Sequence, residues 1–205
     1  MTKIQHYSGK SVHPTESTPR LNPLPVEDMQ SNWLETLGRI PGAGLKGEGF
    51  PRNVLGVLMY NPQTFGPFLE YWVTCKLKMG LSVREQELVI LRMACLYRSN
   101  YVWKHHVPVG REFGINEVEL DRLRAGNYDS FDLREKALLS LTDEMVESRT
   151  IETEGWQKHS VAIRSEDLVD LIGLVSQYVL FSLMNNVMQV QVEPALVAIP
   201  GIEQS

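Results

Sequence analysis

The chain has little of several things, and each shortage removes a class of function. Its 205 residues include two cysteines, Cys75 and Cys95, with no Cys-x-x-Cys between them. They make neither a disulfide framework nor a chelating motif, which fits a reducing, cytoplasmic setting. Excess positive charge is missing too: 20 Lys and Arg against 25 Asp and Glu give a net charge of −5. That balance argues against nucleic acid or an anionic membrane as partner. No apolar run follows the few basic residues at the start, so no secretory signal is expected. Strand-like alternation is absent throughout, and so is any fixed-period repeat; the fold class expected is all-α. The glycine-rich stretch 40–53, IPGAGLKGEGFPRN, lacks both a G-K-[ST] ending and a preceding strand. It reads as a linker, not a phosphate-binding loop.

What is present is enough apolar material for one core, at 43% of residues. A helical domain is expected over residues 28–200. Before it, residues 1–27 form an arm rich in Pro, Ser, Thr and His, irregular and either disordered or laid over a neighbouring subunit. An amphipathic helix is expected within 26–40 around Met29, Trp33, Leu34 and Leu37. Another starts at Asn61-Pro62, with Asn as cap and Pro in the first position, and ends by Gly80. Asn116 opens a short helix that Gly126 stops. A longer one spans about 133–148 with Leu138, Leu141 and Met145 inward, and a short one surrounds Trp156. The last, capped by Ser165, is apolar from Leu168 to Met184. A membrane span needs about 20 apolar residues. Asp170, Gln177 and Asn185 interrupt or bound this run, so a buried core helix is the better reading.

Residues 82–114 carry the chemistry. Ser82 and Glu85 make a capping box, and Leu88, Leu91 and Cys95 recur at helical spacing behind it. A polar break at 98–100 separates this helix from a second bearing Tyr101, Trp103, His105 and His106. Pro108 should kink that helix and Gly114 end it. Glu87 sits amid Leu88, Val89, Ile90 and Leu91, where burial would raise its pKa; its bland alternative is an ion pair with Arg84 or Arg92. His106 shares a face with Ser99 and Val102, with Trp103 beside it to exclude water, and an imidazole there suits acid–base work. Its alternative is a core histidine with a satisfied hydrogen bond. His105 and His106 point about 100° apart, which makes joint chelation of a metal unfavourable. Cys95 reads as a small core residue whose thiol is raised by burial. Tyr101 can donate a hydrogen bond but is a poor base at neutral pH. Tyr97, Tyr178 and Asn185 are further candidates to line a pocket.

The run E-L-V-I-L-R at 87–92, Y-x-W-x-x-H at 101–106 and a Gly ahead of an acidic capped helix resemble the carboxymuconolactone decarboxylase superfamily. That superfamily also holds the alkyl hydroperoxidase D-like (AhpD-like) proteins. The likeness runs from about Pro51 to Pro194. Peroxidase members carry a Glu, a Cys-x-x-Cys and a following His; those slots fall here on Glu87, Ser99, Val102 and His106. Both redox cysteines are therefore missing, and Tyr101 stands where a proton-relaying histidine is often found. The resemblance implies an AhpD-like helical bundle assembled as a dimer, trimer or hexamer on its C-terminal helices. It implies an enzyme without metal or organic cofactor, in which Glu87 and His106, assisted by Tyr101, move protons on a small carboxylate, lactone or β-keto acid. Trp103, Ser99, Val102, Cys95, Tyr178 and Asn185 would line the substrate site. The alternatives are an alkyl hydroperoxidase working through Cys95 with an external thiol, and a non-catalytic oligomer that binds a hydrophobic small molecule.

Overall fold

Every regular element among the described residues is a helix; the computed structural model describes residues 18–40, 47 and 50–202. The helix expected over 26–40 is two pieces, because Met29 and Gln30 take extended backbone between them. A 3-10 turn, Val26–Asp28, precedes α1 (Ser31–Gly38), and Met29, Trp33 and Leu37 still reach the core. Most of the expected linker lies outside the described residues, but its last two residues open α2 (Arg52–Leu58), which sequence reasoning missed. Gly56 in α2 is required by close approach. A Cβ there would stand 2.5 Å from the carbonyl oxygen of Leu24, whose N–H donates to Gly56 O at 3.2 Å. The end of the arm is tied to its own chain at two points: Leu24 N donates to Gly56 O in α2, and Arg20 N donates to Met188 O. The earlier part of the arm lies outside the described residues.

Asn61 caps α3 (Pro62–Lys78) by accepting from Thr64 N. The Ser82–Glu85 box starts α4 (Val83–Leu96), with Glu85 accepting from Ser82 N at 2.7 Å. Leu88, Val89, Ile90, Leu91, Met93 and Ala94 are all buried, so α4 has no single apolar face and forms the centre of the bundle. Arg98, at φ +50°, turns the chain so that α5 (Asn100–Glu112) returns along α4. Pro108 lies inside α5, and Gly114 at φ +85° lets Ile115 N reach back to Gly110 O. α6 (Glu117–Ala125) and α7 (Leu133–Ser148) cover one side of α4. Arg84 joins Glu119 of α6 to Glu135 of α7, and Arg92 pairs with Asp143 of α7. Neither arginine is available to Glu87, whose side chain leaves α4 on another face.

α8 (Thr153–His159) leads to α9 (Ser165–Met188), which packs on α3, α4, α5 and α7. Ser165 is its first residue rather than its cap. Only one face of α9 is core: Leu171, Leu174, Tyr178 and Phe181 are buried, while Val169, Ile172, Leu183 and Val187 are about half exposed or more. After α9 the chain runs back across α5. Trp103 Nε1 donates to Pro200 O, Lys104 Nζ to Val197 O, and Ile202 N to Asn100 Oδ1.

Candidate active site

Glu87 and His106 meet between α4 and α5. Glu87 Oε2 lies 2.6 Å from His106 Nδ1, and its side chain is fully buried. Lys76, from the last turn of α3, brings its Nζ to 3.4 Å from Glu87 Oε1. Burial pushes the Glu87 carboxyl up, but the His106 charge and hydrogen bond, with Lys76 added, outweigh it and hold it below the ordinary value. The expected upward shift is therefore reversed, and the carboxylate stays ionised. On the other edge of the ring, His106 Nε2 is 3.2 Å from the Tyr178 hydroxyl. Burial and the nearby Glu87 charge push that phenol well above its usual range, so it is a neutral donor. In the neutral ring Nδ1–H donates to Glu87 and Nε2 accepts from Tyr178; in the imidazolium, whose charge is what lowers Glu87, both N–H groups donate.

The neighbouring histidine has a carboxylate of its own. His105 Nε2 lies 2.5 Å from Glu193 Oε2, beyond α9. Glu193 Oε1 accepts from Tyr101 Oη and from Asn53 N, both at 2.9 Å. Burial pushes Glu193 up, and His105, Asn53 and Tyr101 together hold it below the ordinary value. His105 and His106 thus turn to different carboxylates, and no group of three His, Cys, Asp or Glu among the described residues is arranged to hold a metal.

Both histidines face one cavity of about 650 Å³, walled mainly by apolar side chains that include Phe50, Val54, Trp72, Val109 and Phe181. On the α5 side, Val102, His105, His106 and Val109 stand at the i, i+3, i+4, i+7 spacing of one helical face, with Tyr101, Pro108 and Glu112 beside them.

This arrangement of helices matches known structures. A variant of the debrominase Bmp8 in complex with 2,3,4-tribromopyrrole superposes with a TM-score of 0.67 at 13% identity, over 87% of this chain and 94% of that one. An uncharacterized peroxidase-related protein from Silicibacter sp. TM1040 gives 0.66 at 17% identity, over 92% and 97%. The fold is that of the carboxymuconolactone decarboxylase and AhpD-like proteins. No protein-family model matches the sequence, and no curated protein matches it.

Within this AhpD-like fold the expected site residues separate into two groups. Glu87, His106, Val102, Tyr101, Tyr178 and Asn185 line the cavity; Ser99, Cys95 and Trp103 do not. Ser99 occupies the N-cap position of α5 with its hydroxyl buried and unpartnered. Trp103, one position beyond Val102, is turned about 100° away, under the Arg124 guanidinium at 4.5 Å and bonded to Pro200 O. Cys95 is pushed up to about 12 by burial, against the opposing pull of Arg92 and Arg124. Tyr101 stacks on His105 and gives its hydroxyl to Glu193, so Tyr178, not Tyr101, reaches His106. Sequence reasoning missed Lys76, Trp72 and Glu193. The first two share the α3 face at i, i+4, a usable signal; Glu193 lies in a non-periodic tail and gives none.

Proposed function

We propose that this protein is an acid–base enzyme that moves a proton at the carbon next to a carbonyl, on a small ketone or lactone held in the cavity. The observation that supports it best is the 2.6 Å contact between a fully buried, ionised Glu87 and a histidine that opens on the cavity. In this reading the substrate carbonyl takes over the Tyr178 hydrogen bond. That one exchange frees the Nε2 lone pair of His106 and places a neutral O–H donor on the oxygen where enolate charge develops. Nε2 accepts the proton from carbon, the imidazolium is stabilised by Glu87, and the same nitrogen returns the proton to a second position or to the same one. The hydroperoxidase reading has less support, because Cys95 is outside the cavity and its thiol is raised to about 12.

The test uses 2-tetralone in deuterium oxide, following loss of its α-proton signals by NMR. Wild-type protein should accelerate exchange over buffer. His106→Phe should lose about 10²–10⁴-fold of that acceleration, the usual contribution of a positioned acid or base, and Glu87→Gln about tenfold or more. No acceleration by the wild type, or full acceleration by His106→Phe, would remove this reading.

A further inference from the structure

The cavity is lined by one buried polar side chain, Asn185, that belongs neither to the acid–base machinery nor to the His105–Glu193–Tyr101 cluster. Asn185 is 4% exposed and lines the cavity, and its Oδ1 is buried without a hydrogen-bond partner. Gln177 and Ser182 of the same helix also carry buried unpartnered atoms, as does Ser99, but none of these three lines the cavity. A bare carbonyl oxygen held out of water is costly unless something donates to it. Asn185 is also placed to meet a ligand already engaged at His106. Tyr178 and Asn185 are seven residues apart on one face of α9, about 10 Å along the axis. Tyr178 contacts His106 while Asn186 donates to Tyr97 O just ahead of α5, so the two helices run antiparallel. Asn185 therefore lies toward the start of α5, two turns from the proton-transfer pair.

Charge in the cavity narrows the ligand further. Lys76 is its one cationic lining residue of fixed charge among the described residues, and it already faces Glu87. Glu87 and Glu112 line the cavity as well, and Glu193 stands directly behind His105. With both histidines neutral, the formal charges of Lys76, Glu87, Glu112 and Glu193 come to minus two. Protonating both histidines brings that total only to zero. Among the described residues, no histidine state gives the cavity a net positive charge to attract an anion, and its walls are mainly apolar.

We propose that the cavity selects an uncharged, largely apolar molecule bearing a hydroxyl or N–H group, which donates to Asn185 Oδ1 while the rest of the molecule extends toward His106. Carboxylates, expected from the sequence to be among the substrates, are disfavoured. The proposal rests on the acid–base reading only in taking this cavity as the substrate site.

Calorimetric titration with three probes of one shape tests it: 2-naphthol (neutral donor), 2-methoxynaphthalene (neutral, no donor) and 2-naphthoate (anion). Wild-type protein should bind 2-naphthol about tenfold or more tighter than either of the others, the usual range for one buried hydrogen bond. Asn185→Leu should weaken 2-naphthol about tenfold and leave 2-methoxynaphthalene unchanged. Naphthoate binding as tightly as naphthol, equal affinity for naphthol and its methyl ether, unchanged naphthol binding by Asn185→Leu, or no binding of any probe would each overturn it. The wild-type ranking decides the matter even if the variant does not fold. A correct ranking without tetralone exchange removes only the acid–base reading; exchange with naphthoate preferred removes only this one.

Discussion

Two carboxylate–histidine pairs lie side by side on α5, and their parts are nearly the same. In both, the carboxylate is almost wholly buried and held below its ordinary pKa by the histidine. The surroundings separate them. Glu193 is consumed by structure: it takes His105, Tyr101 and the Asn53 N–H, and so ties the tail to α5 and to the start of α2. Glu87 has His106 and, at 3.4 Å, the partly exposed Lys76, and the second nitrogen of His106 holds only a 3.2 Å contact to a phenol. An ion pair becomes a candidate for chemistry when one of its members keeps a weakly held lone pair facing a cavity. Pairing and burial alone do not distinguish the two.

Removing each carboxylate is the strongest way to break this comparison. Glu193→Ala strands a buried histidine, a buried phenol and a backbone N–H, and should cost about 3 kcal/mol in urea unfolding. It should also speed proteolysis within residues 190–202, whose hold on α5 it loosens. Glu87→Ala leaves partners that are 17% and 23% exposed and able to recruit water, so its cost should be about 1–2 kcal/mol. A larger loss for Glu87→Ala would assign the structural role to the wrong pair.

Much of the first pair could be read from the sequence, and almost none of the second. The Ser82 box fixes the register of α4, the break at 98–100 returns α5 alongside it, and the spacing of Glu87 and His106 follows the superfamily pattern. What the pattern does not specify is which side of α5 meets the cavity. Tyr101, Val102, Trp103 and Val107 are all buried, so periodicity cannot tell a wall of core from a wall of cavity. Trp103 was expected beside His106 for that reason, and it packs on Arg124 and the tail instead. Tail contacts such as Glu193 to Asn53 join residues 140 positions apart, with no repeating pattern at either end to announce them. Cys95 follows the core-residue reading: near the end of α4 it is half-buried and packed against the core, and burial raises its thiol.

Acid sharpens the comparison at a smaller scale. Both Glu87 and Glu193 have folded pKa values below the ordinary 4.5. Each therefore binds fewer protons in the folded state than in the unfolded one just below that pH. The stability each contributes is fully present above about pH 4.5 and is lost as pH falls through the lower folded value. Stability measured by urea unfolding from pH 6 to pH 3 should fall on the acid limb. Glu87→Gln and Glu193→Gln should each flatten that limb, because each removes a carboxylate whose ionised form the fold favours. Acid limbs as steep as the wild type's in both variants would mean that neither carboxylate is favoured in its ionised form by the fold.

The smallest expected effect concerns the residue that would restore redox chemistry. With the Cys95 thiol at about 12, only about one molecule in 10⁴ carries the thiolate at pH 8, and the thiolate is the reactive form. Arg92 and Arg124 lie near enough to pull that value down, yet Arg92 is already committed to Asp143 and desolvation dominates. Iodoacetamide should therefore label folded protein at Cys95 far more slowly than the same protein in urea. Mass spectrometry of peptides is needed to separate this label from one at Cys75. Cys95→Ala should leave tetralone exchange within about twofold of wild type, since the side chain is outside the cavity. Hydroperoxide consumption with a dithiol donor should be negligible in both proteins, because no second cysteine stands close enough in sequence to resolve a sulfenate as a Cys-x-x-Cys would. Rapid labelling of folded Cys95, together with peroxide turnover that Cys95→Ala abolishes, would move the chemistry from the Glu87–His106 pair to the thiol.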